Sequence, residues 1–229
     1  MLDYPNFLIN YKIYDGTAGD DGLALAKTIE AIADRTGAPF AVAPQTPDLS
    51  WIAAETSLPV VAQSVDALDS GRGTGRISLP AVAAAGASGV LINHAENRKT
   101  LADIARTVSR CEGYGLESLV CVDSVEMGRA ALAFDPDCLV FENPADIATD
   151  RPIARTHPQR VEAFVAMVAD VNARTRVLLG GGISTATDVE QALELGADAA
   201  GAASAFVDAT DRRAWLSDVA EVLLEARTG

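Results

Sequence analysis

Short apolar runs recur along the chain, separated by longer stretches of mixed polarity. They are FLINY (7–11), FAVAP (40–44), PVVAQ (59–63), GVLIN (89–93), SLVCV (118–122), CLVFE (138–142), RVLLGG (176–181) and AAGAAS (199–204). Within each run the apolar residues are nearly continuous rather than alternating. That pattern marks a strand covered on both faces, as in a parallel sheet. Only the last run is poor in strand-forming chemistry, since alanine and glycine pack weakly on a pleated surface.

The intervening stretches carry a different period. Leu101, Ile104, Ala105 and Val108 fall at i, i+3, i+4 and i+7, one face of a helix. Similar spacing predicts helices over 23–35, 124–133, 158–171, 186–195 and 212–226. The connections 46–57 and 77–87 are shorter, with room for about two or three helical turns each. The sum is eight consecutive βα units, which predicts an α/β protein: a single-domain (β/α)8 TIM barrel over 1–229. An open doubly wound sheet is the competitor, but even spacing and the lack of an antiparallel edge favour closure.

A barrel of parallel strands presents its chemistry at their carboxyl ends, so the residues that follow each run are the candidates. Asn10 and Lys12 follow the first run, Asn93, His94 and Glu96 the fourth, and Glu142 ends the sixth. GGGIST (180–185) follows the seventh run and AASAF (202–206) leaves the eighth. Taken singly, each has a structural explanation: a surface lysine, a hydrogen-bonded histidine, a loop acid, a tight turn with a Ser or Thr cap. Taken together, a lysine, a histidine and a glutamate converge on one rim.

Those residue types have a narrow chemistry in common. A shielded carboxylate can take a proton from carbon. An imidazole at a helix N-terminus, where the dipole disfavours positive charge, can donate a hydrogen bond to a carbonyl oxygen. Lysine can stabilise an enediolate or a phosphate, and backbone N–H groups of a glycine-rich turn suit a phosphate dianion. The set describes proton transfer next to the carbonyl of a small phosphorylated sugar, with no cofactor and no metal.

Composition narrows the partners. The chain carries 32 Asp plus Glu against 18 Lys plus Arg, net −14, which repels nucleic acid and anionic membrane surfaces. Its 20 Asp outnumber its 12 Glu, and only three of its cations are lysines, Lys12, Lys27 and Lys99. Such a surface suits high salt, where the repulsion is screened. Three scattered cysteines, Cys111, Cys121 and Cys138, suggest neither a disulfide framework nor a zinc site. With no export signal at the N-terminus and no apolar run of about 18 residues, a cytoplasmic protein is expected.

The ordered motifs resemble triosephosphate isomerase, in particular its short archaeal form and haloarchaeal-like versions of it. NYK (10–12), NHAEN (93–97) with Arg98, and the segment starting at Glu142 carry the likeness. VAPQ (42–45), VAQ (61–63), GRGTGR (71–76), VC (120–121), GGGIST and AAS (202–204) continue it in order. The resemblance implies Glu142 as the base that shuttles a proton between two substrate carbons, and neutral His94 as the electrophile. It implies Lys12 as charge stabiliser, Asn10 as a substrate-placing residue, and Glu96 as the partner of Lys12. It implies a closing lid over 143–150, with phosphate held by backbone at Ala148, Gly181, Gly182, Ala203 and Ser204. Thr74 resembles the tip of a loop that reaches a neighbouring subunit, so a dimer or tetramer is implied.

The lid departs from the family. Archaeal members read close to E-P-P-x-x-I-G-T-G, whereas this chain reads ENPADIATD (142–150), with Ala148 and Asp150 in place of glycines. Ala205 likewise stands where a glycine is expected. Isomerisation of another small phosphorylated sugar, or binding of a phosphorylated ligand without catalysis, are the alternatives that this divergence leaves open.

Overall fold

The computed structural model describes residues 2–68, 70–147 and 149–228. Eight parallel strands run in the order β2-β1-β8-β7-β6-β5-β4-β3. They are β1 (Asn6–Asn10), β2 (Phe40–Ala43), β3 (Val61–Ala62), β4 (Gly89–Ile92), β5 (Glu117–Val122), β6 (Cys138–Phe141), β7 (Arg176–Leu179) and β8 (Ala199–Ala202). The two ends of that order meet through one parallel bridge, Val42 to Val60, so the sheet is a nearly closed barrel. The helices α1 (Gly19–Thr36), α2 (Leu49–Glu55), α3 (Leu79–Ala84), α4 (Leu101–Cys111), α5 (Val125–Leu132), α6 (Ile153–Thr156), α7 (Pro158–Val171), α8 (Ala186–Glu194), α9 (Ser204–Val207) and α10 (Arg212–Thr228) surround it.

The near-continuous apolarity of the strands reflects two cores. Leu8, Ala41, Ala43, Val61, Leu91, Leu119, Cys121, Cys138, Val140, Leu178 and Ala199 fill the barrel interior. Their neighbours in sequence, such as Phe7, Ile9, Val42, Ile92, Leu139 and Phe141, face the helical layer. Strand geometry sends successive side chains to opposite faces, so one run feeds both cores. All three cysteines are buried and free.

Most of the expected elements are present, with shifted ends. The third run shortens to a two-residue strand, and α1 begins four residues before the expected Leu23. The weak eighth run does form β8, because paired neighbours on both sides supply what alanine and glycine lack in propensity. No helix among the described residues is long and apolar enough to cross a membrane.

Candidate active site

The same alternation that fills the barrel delivers the polar residues to its mouth. On β1, Leu8 faces inward, and Asn10 and Lys12 follow it at the same period; on β6, Val140 is followed by Glu142; on β7, Leu178 by Gly180 and Gly182. All of these line one pocket at the carboxyl ends of the strands, together with His94, Cys121, Ile147, Thr149, Ala203 and Ser204. The expected rim set is therefore assembled in one place. The position expected for Ala148 lies outside the described residues.

Two left-handed residues set the geometry, Lys12 at φ 47° and Asn93 at φ 67°. Asparagine tolerates that conformation. A lysine there costs on the order of 1–3 kcal/mol and persists only when its surroundings enforce it. The Lys12 N–H donates to Asn10 Oδ1 at 3.0 Å, and its carbonyl accepts from Gln63 Nε2 at 3.1 Å. Gln63 Nε2 also donates to Asn10 Oδ1 at 3.2 Å and to the Ala43 carbonyl at 3.1 Å. The side chain of Lys12 then reaches Glu96, Nζ to Oε1, at 2.8 Å.

At Asn93 the turn breaks the strand alternation, so His94 enters the pocket while Asn93 is used as structure. Its Nδ2 donates to the Cys121 carbonyl at 2.9 Å and its Oδ1 accepts the Lys99 N–H at 2.9 Å. The expectation that His94 sits at a helix N-terminus is wrong: α4 starts at Leu101, capped by Thr100. What His94 meets instead is the backbone N–H of Glu96, which donates to Nδ1 at 3.2 Å. The Glu96 carboxylate is farther from Nδ1, at 3.7 Å. With Nδ1 accepting, the ring proton is on Nε2, which faces Glu142 Oε2 at 3.4 Å.

Glu142 Oε2 is buried and without a hydrogen-bond partner among the described residues. Burial pushes its carboxyl above the ordinary range, against the opposing pull of His94 and Lys12. Space for the carboxylate exists because residue 180 is glycine; a Cβ there would lie 2.2 Å from Glu142 Oε1. Gly181 and Gly182 are left-handed at φ 76° and 75°. A Cβ on Gly182 would come within 2.6 Å of Arg151 backbone atoms, so the glycine turn and the chain at Arg151 pack closely.

The GGGIST turn serves structure as well. Thr185 caps α8 in a capping box with Asp188, whose Oδ2 also accepts Ser184 Oγ at 3.1 Å. Thr74 lies at the tip of an exposed loop whose base is tied by Asp66, through Ile77 N–H at 2.9 Å and Arg76 at 3.1 Å. Sequence reasoning assigned no role to Gln63 or Gly180. Gln63 stood within a quoted motif, but three acceptors meeting at one amide is a tertiary fact that spacing does not carry.

Comparison with known proteins adds to this geometry. The family model described as triosephosphate isomerase matches residues 5–221. The chain is similar to the triosephosphate isomerase of Methanosarcina barkeri, 37% identical over 97% of this chain and all of that one. To the Methanocaldococcus jannaschii triosephosphate isomerase it is 39% identical, covering 88% of this chain and 92% of that one. In fold it matches the crystal structure of triosephosphate isomerase from Bartonella henselae with a TM-score of 0.71 at 20% identity, covering 95% and 98% of the two chains.

Proposed function

The chain belongs to the triosephosphate isomerase family and interconverts dihydroxyacetone phosphate with D-glyceraldehyde 3-phosphate, and we propose that Glu142, His94 and Lys12 carry out that reaction at the barrel mouth. The observation that carries the assignment is the idle, buried Glu142 oxygen set 3.4 Å from His94 Nε2. Glu142 takes a proton from C1 of the ketone and leaves an enediolate. The His94 Nε2–H serves the two substrate oxygens, and the Lys12 ammonium, held by Glu96, offsets the developing negative charge. Return of the proton by Glu142 to C2 gives the aldehyde. Nothing is oxidised or reduced by an outside partner, so the step needs neither cofactor nor metal.

Asn10 fixes the Lys12 backbone and faces the substrate, while the backbone of Gly181, Gly182, Ala203 and Ser204, lining the same pocket, receives the phosphate. Residues 143–150, with Ala148 among them, form the lid. The exposed Thr74 loop, with Ile13 standing 85% exposed directly after Lys12, supports self-association as a dimer or tetramer. Net charge −14 with free, buried cysteines supports a cytoplasmic enzyme of a high-salt interior, serving the three-carbon stage of glycolysis and gluconeogenesis.

The test is triose phosphate interconversion by the purified protein from low to multimolar potassium chloride, with Glu142→Gln alongside. Fast turnover that the substitution removes supports the assignment. Unchanged turnover in Glu142→Gln overturns Glu142 as base, and a tetrose or pentose phosphate that outpaces the trioses would move the substrate.

A further inference from the structure

We propose that the side-chain hydrogen bond between Asn143 and Asp146 is a positioning element of this site, locking the lid into one unit that holds Glu142 in place. The proposal rests on the lid and base assignments above. Asn143 directly follows Glu142, and its two side-chain polar groups and its carbonyl are all engaged within the next three residues. Its Nδ2 donates to Asp146 Oδ2 at 2.8 Å, its Oδ1 accepts the Ala145 N–H at 3.3 Å, and its carbonyl accepts the Asp146 N–H at 2.9 Å.

Asp146 ties the second half of the lid to the first. It is 4% exposed, and its carbonyl receives both the Thr149 N–H at 3.1 Å and the Thr149 hydroxyl at 2.7 Å. A nearly buried carboxylate needs donors to offset its lost hydration, and Asn143 supplies one from the other end of the turn. The locked unit touches the site on two sides. Ile147 and Thr149 line the pocket with Glu142. A Cβ on Gly181 would stand 3.7 Å from both the Asn143 carbonyl and Ile147, so the unit is seated on the glycine turn after β7.

Without the side-chain bond, the first turn keeps its backbone closure and the 3.3 Å bond from Ala145 N–H to Asn143 Oδ1 but loses its tie to the Asp146 side chain, and the direction in which the chain leaves Glu142 is no longer fixed. The carboxylate then samples more positions and water reaches it. A proton taken from substrate would exchange with that water before being returned.

Asn143→Ala, Asp146→Ala, the double variant and the conservative Asp146→Asn test this. Each is assayed for kcat, KM and the fraction of deuterium carried from C1 of labelled dihydroxyacetone phosphate to C2 of product. The alanine variants are expected to lose about tenfold to a hundredfold in kcat with KM little changed, and to carry less deuterium. The double variant should be about as impaired as Asn143→Ala alone, since both substitutions remove the same Asn143–Asp146 bond and Asn143→Ala also removes the bond from Ala145. Asp146→Asn keeps an acceptor for Asn143 and should restore most of the carry-over. Amide exchange across 143–149 should quicken in the alanine variants. Unchanged kinetics, carry-over and exchange overturn the proposal, as does a double variant whose loss is the product of the singles. If the unaltered protein fails to interconvert the trioses, the assigned reaction fails separately. Exchange across the lid then decides the lock, and unchanged exchange overturns it.

Discussion

His94 Nε2 and Glu142 Oε2 face each other at 3.4 Å from two different strand ends, and the glutamate oxygen takes no hydrogen bond from any described residue. A buried oxygen without a donor is costly, since buried polar groups in folded proteins are as a rule paired. The cost is reasonable where that oxygen is reserved for a proton from outside the protein.

Glu142→Gln is expected to lower kcat by about two to four orders of magnitude, the usual worth of a positioned general base. Steady-state interconversion of the trioses measures it. A loss smaller than tenfold would reassign the base.

The pH dependence follows from the direction of the Glu142 shift. Burial raises its pKa, so the acid limb of kcat/KM should lie above the ordinary glutamate value of about 4.3. The folded state also holds this proton more tightly than the unfolded one. Stability therefore falls as pH rises from the unfolded pKa through the raised one. Glu142→Gln removes that cost, so its Tm at pH 7 should exceed that of the parent, by about 2–4 °C for each kcal/mol relieved. Thermal melts at pH 5 and pH 7 should show the gap widening with pH.

Gly180→Ala places a methyl where Glu142 Oε1 now lies, 2.2 Å away. The barrel has no need to open, since the carboxylate can swing aside. Turnover should drop about a hundredfold, as for a misplaced reacting group, with the circular dichroism spectrum retained. An alanine variant of full activity would show that Glu142 works from another position.

Gln63→Ala removes the amide that holds Asn10, the Lys12 carbonyl and the Ala43 carbonyl. Relaxation of the left-handed Lys12 should raise KM for the phosphorylated substrate and cost about 1–3 kcal/mol of stability. Urea melts and substrate titration would read the two effects independently.

Screening of the −14 net charge predicts that Tm rises with potassium chloride. A Tm flat from 0.1 M to about 2 M would remove the high-salt reading and leave an ordinary acidic protein.

The barrel was legible because its signal is repeated: runs such as GVLIN and CLVFE feed two cores at once, which only sheet strands with both faces covered can do. Lys12, His94 and Glu142 were legible because strand ends have a fixed address in this architecture. The helix start expected at His94 is not there. Six residues separate His94 from α4, and the backbone N–H of Glu96 engages Nδ1 of the ring in place of a helix start. Gln63 and Gly180 escaped notice because their work is done by contacts between strands remote in sequence. The Asn143–Asp146 bond was written in the chain as an Asn followed three residues later by an Asp across a proline turn, a spacing short enough to be local yet shared by many turns that make no such bond.

Seven strand pairings are ladders of at least two residue pairs, while β2 and β3 meet at the bridge between Val42 and Val60. Gln63, which stabilises the unfavourable backbone of Lys12, stands at that join and holds the Ala43 end of β2 as well. Heat, denaturant or dilution of salt that parts the join first would therefore release Lys12 before it melts a helix. Inactivation should precede unfolding, and loss of turnover would report early damage that the circular dichroism spectrum does not yet show.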